Sequence, residues 1–348
     1  MPAPPWFRSD SGLLHDVPGH PERPARIVAL EAELDRRDWF GWRRQEAPRA
    51  TREQLGRIHP ARHVELIEAL SARGGGAIDL DTAAVAGTFE AALHAAGGAV
   101  ALVDALLGDA APCGWAALRP PGHHAEAARA MGFCFFNNVA VAAAHARAVH
   151  GAERVLIVDW DVHHGNGTND IFHADSGVLF ASIHQWPLYP GTGPAADAGS
   201  GAGAGFTVNL PVPSGSGDET YCSLVEHVVV PLARAWRPRL VLVSAGFDAH
   251  RADPLAGCCV TEAGYAAMTA SLRRACAECE APLGFVLEGG YSVAALAGSV
   301  AALMPVLGAP EVPDAVGVEL HPLALAAWDR LARWWPGAAA QPGTTWRT

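Results

Sequence analysis

No block of basic residues interrupts this chain, no uninterrupted apolar run reaches the roughly 18 residues of a membrane-spanning helix, and cysteines are few. Each absence removes a class of function. Lys+Arg number 25 against 36 Asp+Glu, a formal net charge of −11. Without a cationic stripe to neutralise phosphates, direct nucleic-acid binding is not expected, and an acidic surface mildly favours a cationic substrate instead. No membrane span is expected either. The first 24 residues, MPAPPWFRSDSGLLHDVPGHPERP, lack a basic region followed by an apolar core, so no signal peptide is expected and the cytoplasm is the default compartment. The seven cysteines are an odd number spread through apolar segments, which fits reduced, buried thiols. Cys276 and Cys279 form a CxxC without a second pair or a CxxH, and they read as core-facing helix positions.

What remains is a chain of 348 residues, half hydrophobic and 18% charged, long enough to bury a sizeable core. Residues 1–24, rich in Pro and Gly, read as an ordered loop holding His15 and His20. Helical periodicity covers Arg26–Arg37, His59–Ala72 and Phe89–Leu107, with Asp79–Thr82 placed to cap the last of these. From Trp115 onward, short apolar strands alternate with helices, the signature of a parallel sheet covered on both faces. The expected strands are Gly114–Leu118, Arg154–Val158, Val178–Ile183, Thr207–Leu210, Leu240–Ser244 and Gly284–Leu287. Helices fit at Asn138–Val149, Tyr221–Ala235 and Glu262–Glu278. No repeat or linker divides the chain, so residues 1–348 read as one domain. Its core spans about 15–307, and residues 308–348 form a Pro-rich extension with one short helix, Leu320–Trp335.

Polar residues recur just beyond these strands, where open parallel sheets bind their ligands. The densest cluster is Val155–Thr168, VLIVDWDVHHGNGT, in which an apolar strand runs into Asp159, Asp161, His163 and His164. Burying such groups costs several kcal/mol per charge unless a cation or a hydrogen-bond network compensates. A salt-bridged strand end is the plain alternative, yet no Lys or Arg lies within the segment. Asp161 and His163 are two apart, so an extended backbone projects them to one side, where they can share an ion. Asp248, after another apolar strand, is the best third ligand, and Asp253 beside Pro254 competes with it. His123 and His124 follow a Pro-Pro-Gly turn and suit base and acid chemistry, with Asp159 and Asn166 placed to orient the two rings. Tyr291 follows Gly289 and Gly290, which permit close approach to a ligand, and its hydroxyl suits an oxyanion.

The segments RPPGHH, GFCFFNN, DWDVHHGNGT, SAGFDAHRADPL and LEGGYS, in this order, resemble the zinc-dependent histone deacetylase superfamily, which includes acetylpolyamine amidohydrolases. Asn166 and the Glu-Gly-Gly-Tyr form are similar to its class II-like branch. The resemblance spans most of residues 15–300. It implies a three-layer α/β/α arginase–deacetylase fold with a central, mostly parallel eight-stranded sheet, of which the pattern shows six strands. It also implies Zn²⁺, or Fe²⁺ or another divalent metal, on Asp161, His163 and Asp248. His123 and His124 become the catalytic pair and Tyr291 the carbonyl-polarising group. A structural potassium is implied at Asp159, Asp161, His163, Ser182 and Ile183.

For the substrate, the resemblance makes Gly132 and Phe133 one wall of a narrow acyl-lysine channel and Tyr189 the opposing wall. Leu255 stands where polyamine-specific relatives carry an acidic residue, which favours acetyl-lysine. Asp81 and His20 are placed at the mouth, with plain surface-loop roles equally open. The expected activity is removal of acetyl groups from N-acetyl-lysine in a peptide or protein. Hydrolysis of a small acetylated amine such as an acetylpolyamine is the alternative, and a non-catalytic acyl-lysine binder is disfavoured because no main-step residue is missing. An arginase-type site is disfavoured too, since it needs two metals and more aspartates. A homo-oligomer is left open.

Overall fold

In the computed structural model of the chain, the structure describes residues 3–108, 111–314 and 317–338. Among the described residues ten strands form in chain order: β1 (Pro5–Arg8), β2 (Arg43–Glu46), β3 (Gly75–Ala77), β4 (Ala83–Val85), β5 (Cys113–Ala116), β6 (Val155–Asp159), β7 (Val178–Gln185), β8 (Thr207–Val212), β9 (Leu240–Ala245) and β10 (Leu283–Leu287). Eight of them make one parallel sheet in the order β2-β1-β5-β10-β9-β6-β7-β8, and β3 and β4 pair as a separate antiparallel hairpin.

The helices are α1 (Ala25–Asp35), α2 (Arg52–Gly56), α3 (Ala61–Ala72), α4 (Thr88–Leu107), α5 (Asn138–His150), α6 (Asn166–Phe172), α7 (Asp218–Leu224), α8 (Val230–Trp236), α9 (Glu262–Cys279), α10 (Val293–Gly308) and α11 (Pro322–Leu331). They cover both faces of the sheet, and alternation along the strands feeds both cores. On β6, Leu156 and Val158 join the core formed with α1 and α7–α11, while Val155 and Ile157 join the core formed with α4 and α5. Burial of each such side chain contributes about 1.5–3 kcal/mol.

All six expected strands form, with no end moved by more than two residues. Two other strands of the large sheet were not expected. β1 lies within the stretch read as a loop, because Pro-Trp-Phe-Arg is too short to show a period, yet Trp6 and Phe7 are buried and pair with β5. β2, Arg-Arg-Gln-Glu, is a mostly exposed edge strand whose charges conceal it. The sheet therefore starts ahead of residue 15. Asp79 and Thr82 do not cap α4, whose N-cap is Gly87 without a side-chain bond. Asp79 Oδ1 instead accepts from Asp81 N and Thr82 N and builds the turn between β3 and β4.

α4 is the one described helix long and apolar enough to cross a membrane, but 72% of its apolar window is buried inside the fold. α11 stops at Leu331, shorter than expected, and packs Ala324, Ala327, Trp328 and Leu331 onto the body. The last ten residues of the C-terminal extension lie outside the described residues.

Candidate active site

Parallel pairing places the carboxyl ends of the central strands side by side. Asp159 ends β6, in register with Ser182 on β7 and Ser244 on β9. The segments leaving β5, β6, β9 and β10 converge there and bring His123, Asp161, Asp248 and Tyr291 into one site.

Asp161, His163 and Asp248 are buried, and their ligand atoms lie within 4.8 Å of one another. His163 Nδ1 is 3.2 Å from Asp161 Oδ1 and 3.1 Å from Asp248 Oδ2. A tetrahedral ion with bonds of about 2.0–2.1 Å needs ligand atoms about 3.3 Å apart, so the trio fits a small divalent cation with little movement. Among the described residues, the ion-pair partners of Asp159, Asp161 and Asp248 are histidines, and the salt-bridged alternative finds no arginine. Burial, and then the neighbouring Asp161 charge, push Asp248 up to about 7. Burial pulls His163 down, but its hydrogen bonds to both acids outweigh this and push it up to about 10. The pocket is thus short of positive charge. Asp253 stands apart from the trio: its Oδ2 accepts from Tyr291 N at 2.6 Å and Ser292 N at 3.0 Å, and its Oδ1 accepts from Leu255 N at 3.0 Å.

Two glycines make this density of carboxylates feasible. A Cβ on Gly246 would collide with the Asp161 carboxylate, and one on Gly289 would strike both Asp248 and Asp161. Gly289 N also donates to Asp161 Oδ2 at 2.8 Å.

The paired histidines differ in what stands behind them. His123 Nδ1 faces Asp159 Oδ2 at 3.0 Å, and His124 Nδ1 faces Asn166 Oδ1 at 2.8 Å. Asn166 Nδ2 donates to His124 O and Glu126 Oε1, which turns its oxygen toward the ring. His124 therefore donates from Nδ1 and keeps Nε2 bare. Burial lowers His123, but the charges of Asp159 and Asp161 prevail and raise it to about 10. Burial, then the His123 and His163 charges, hold His124 well below the usual histidine range.

The site opens through a cavity of about 190 Å³ lined by Asp81, His124, Gly132, Phe133, His163, Leu188, Tyr189, Leu255 and Tyr291. A larger cleft of about 270 Å³ beside α11 gathers no histidine or cysteine. Phe133 is held at φ +68°, uncommon for an aromatic residue, and meets Tyr291 edge-on at 5.7 Å. His20 stands behind that wall: Nδ1 accepts from Glu22 N, Nε2 donates to Asp81 O, and the ring meets Phe133 at 4.4 Å. His184 stays within β7, where Ser182 Oγ donates to its Nδ1 and its Nε2 donates to Gly193 O. Ile183 is buried beside it on the same strand.

Sequence reasoning missed a supporting layer. Glu288 Oε2 accepts from Gly122 N at 2.7 Å and His123 N at 3.1 Å, fixing the histidine turn. Arg26 donates to Gly290 O at 2.7 Å and to Glu288 O, with its guanidinium 5.1 Å from the Tyr291 ring centre. Glu22 accepts from Arg26 at 3.0 Å and from Arg119 at 2.6 and 2.5 Å, all fully buried. The signals were a cluster of charges, HPERPAR, in a stretch without periodicity, and the Arg119 and Glu288 of the RPPGHH and LEGGYS segments, to which sequence reasoning gave no role.

A histone deacetylase domain profile matches residues 20–307. The chain is 41% identical over 314 residues to "Histone deacetylase 14, chloroplastic" of Arabidopsis thaliana, covering 85% of this chain and 74% of that one. It is 42% identical over 280 residues to a "Histone deacetylase-like amidohydrolase" of Pseudomonas aeruginosa, covering 79% and 73%. The crystal structure of the HDA15 HD domain superposes with a TM-score of 0.89 at 38% identity, covering 97% of this chain and 96% of that one. In sequence over most of its length, and in the order and direction of its strands, the chain belongs to the histone deacetylase family.

Proposed function

We propose that this deacetylase hydrolyses the acetyl amide of N-acetyl-lysine side chains with a divalent metal held by Asp161, His163 and Asp248. The observation that carries the reading is the joining of that trio to a narrow cavity with aromatic walls and Leu255 at its rim. Bound there, the metal supplies Lewis-acid chemistry, lowering the pKa of a water and polarising a carbonyl. Zn²⁺ suits the two carboxylates and one imidazole, and Fe²⁺ or another divalent ion suits them too.

Phe133 and Tyr189 enclose the methylene stem of the substrate and exclude water. His124, with Nε2 bare, takes the proton as water adds to the acetyl carbon, and returns it to the departing nitrogen. His123, held protonated by Asp159, keeps positive charge beside the oxyanion. Tyr291 donates its hydroxyl to that oxyanion. Acetate and a free amine leave. The same family pattern suggests a structural potassium at Asp159, Asp161, His163, Ser182 and Ile183, which would steady the end of β6.

Leu255 at the rim supports acetyl-lysine, because it offers no charge to a second ammonium. Asp81, also at the rim, is the observation favouring the second reading, a small acetylated polyamine. All 25 basic residues of the chain are arginine, so it carries no lysine side chain of its own. Acetate released in an assay with an acetyl-lysine peptide would therefore report the peptide. The test is the chelator-sensitive initial rate on an acetyl-lysine peptide and on an acetylated polyamine, side by side. Faster peptide turnover is expected. Preference for the polyamine would overturn the substrate assignment, and absence of chelator-sensitive release from both would overturn the reaction.

A further inference from the structure

α4 and α5 each precede a strand of the parallel sheet and pack against each other on one face, so their carboxyl termini meet at the end of the molecule away from the cavity. Asp104 lies in the last turn of α4, and His145 and His150 lie in the last two turns of α5. Asp104 Oδ1 is 2.7 Å from Nε2 of both histidines. Among the described residues these rings are its ion-pair partners, and all three ligand atoms lie within 4.8 Å of one another. A carboxylate at the negative end of a helix is unfavourable unless positive charge joins it, and here two such helix ends coincide. The side chains are graded in exposure, 6% for His145, 19% for His150 and 51% for Asp104, leaving one side open to solvent.

We propose that Asp104, His145 and His150 form a second, surface-accessible Zn²⁺ site, with water as its fourth ligand. Two imidazole nitrogens and one carboxylate oxygen are a zinc donor set. Oxygen-to-nitrogen distances of 2.7 Å are shorter than the roughly 3.3 Å between ligands of a tetrahedral zinc, and the half-exposed Asp104 has room to withdraw by that difference.

Arg57 sets the strength of the site. Its Nη1 donates to His145 Nδ1 at 3.0 Å and its Nη2 to Glu53 Oε1 at 2.8 Å. With Nδ1 accepting, the neutral His145 ring carries its proton on Nε2 and gives it to Asp104. Zinc at Nε2 requires that proton to move, through water, to Nδ1, where Arg57 now stands. Binding therefore releases Arg57 to Glu53, and Arg57 opposes the metal.

The test counts zinc per chain in the full-length protein, loaded and equilibrated at micromolar free Zn²⁺, with a chromophoric chelator reading the affinity of the weaker site. Wild type is expected to hold two zinc ions, His150→Ala and His150→Asn one, and His163→Ala one. Arg57→Ala is expected to hold two and to tighten the weaker site about tenfold, the scale on which groups behind metal ligands act. One zinc in wild type, or two in both His150 variants, would overturn the site. An Arg57→Ala variant that binds no tighter would overturn the coupling. Failure of acetate release with two zinc ions still bound would refute the deacetylation reading alone.

Discussion

Replacing Glu22 by glutamine keeps the shape of the side chain and removes the charge between two fully buried guanidinium groups. Burial pulls the Glu22 carboxyl up, but the Arg119 and Arg26 charges and hydrogen bonds prevail and hold it at about 2 instead of 4.5. At 1.36 kcal/mol per pH unit this difference corresponds to about 3 kcal/mol. Breaking a buried ion pair from one side typically costs about 3–5 kcal/mol, the same order. With an unfolding entropy of about 2.1 cal/mol/K per residue, a chain of this length loses roughly 5 °C in Tm.

The sign with pH follows from the depressed value. The contribution of Glu22 is complete above about pH 4.5 and disappears as pH falls through about 2. The gap between wild type and Glu22→Gln should therefore be full at pH 7 and shrink as the buffer is acidified toward pH 3. Urea unfolding at the two pH values measures both quantities. Because Arg26 also holds Gly290 O beside Tyr291, kcat should fall with stability. A variant within about 1 kcal/mol of wild type at pH 7, or a gap that does not shrink with acid, refutes the account.

Tyr291→Phe should lower kcat by about 10²–10³ with little change in KM, and an unchanged kcat in steady-state acetate release would remove its oxyanion role. Asp248→Ala should abolish retention of the metal at the buried trio, read by elemental analysis after dialysis, and retention there at wild-type affinity would refute its place as a ligand. Leu255→Glu should shift the ratio of kcat/KM for acetylpolyamine over acetyl-lysine peptide upward on the order of tenfold, and a fixed ratio would show that the rim does not select.

The central strands were legible because they are short, mostly apolar runs with polar residues at or soon after their ends, as Val155–Asp159 shows. The placement of Asp248, and not Asp253, beside Asp161 and His163 was legible too: Asp248 lies closer to the end of a buried strand, whereas Asp253 serves backbone amides in a turn. The pairing of His123 with Asp159 and of His124 with Asn166 also followed from the motifs. The edge was not legible. β2 is four polar residues whose strand character comes entirely from pairing with β1. Glu288 and Arg26 escaped notice because the partners that tie them to the site are backbone atoms, Gly122 N, His123 N and Gly290 O, which leave no trace in side-chain patterns.

The strand order has a consequence for how the chain comes off the ribosome. β10, the last strand of the sheet to be made, lies between β5 and β9. β6 to β9 can pair among themselves as they emerge, but β1, β2 and β5 join them only through β10. At about 5–20 residues per second, the apolar edge of β5 waits on the order of 10–35 s for its neighbour. His123, beyond β5, and Tyr291, beyond β10, meet only when that last strand closes the gap, so the nascent chain does not assemble the candidate site until its sheet is complete.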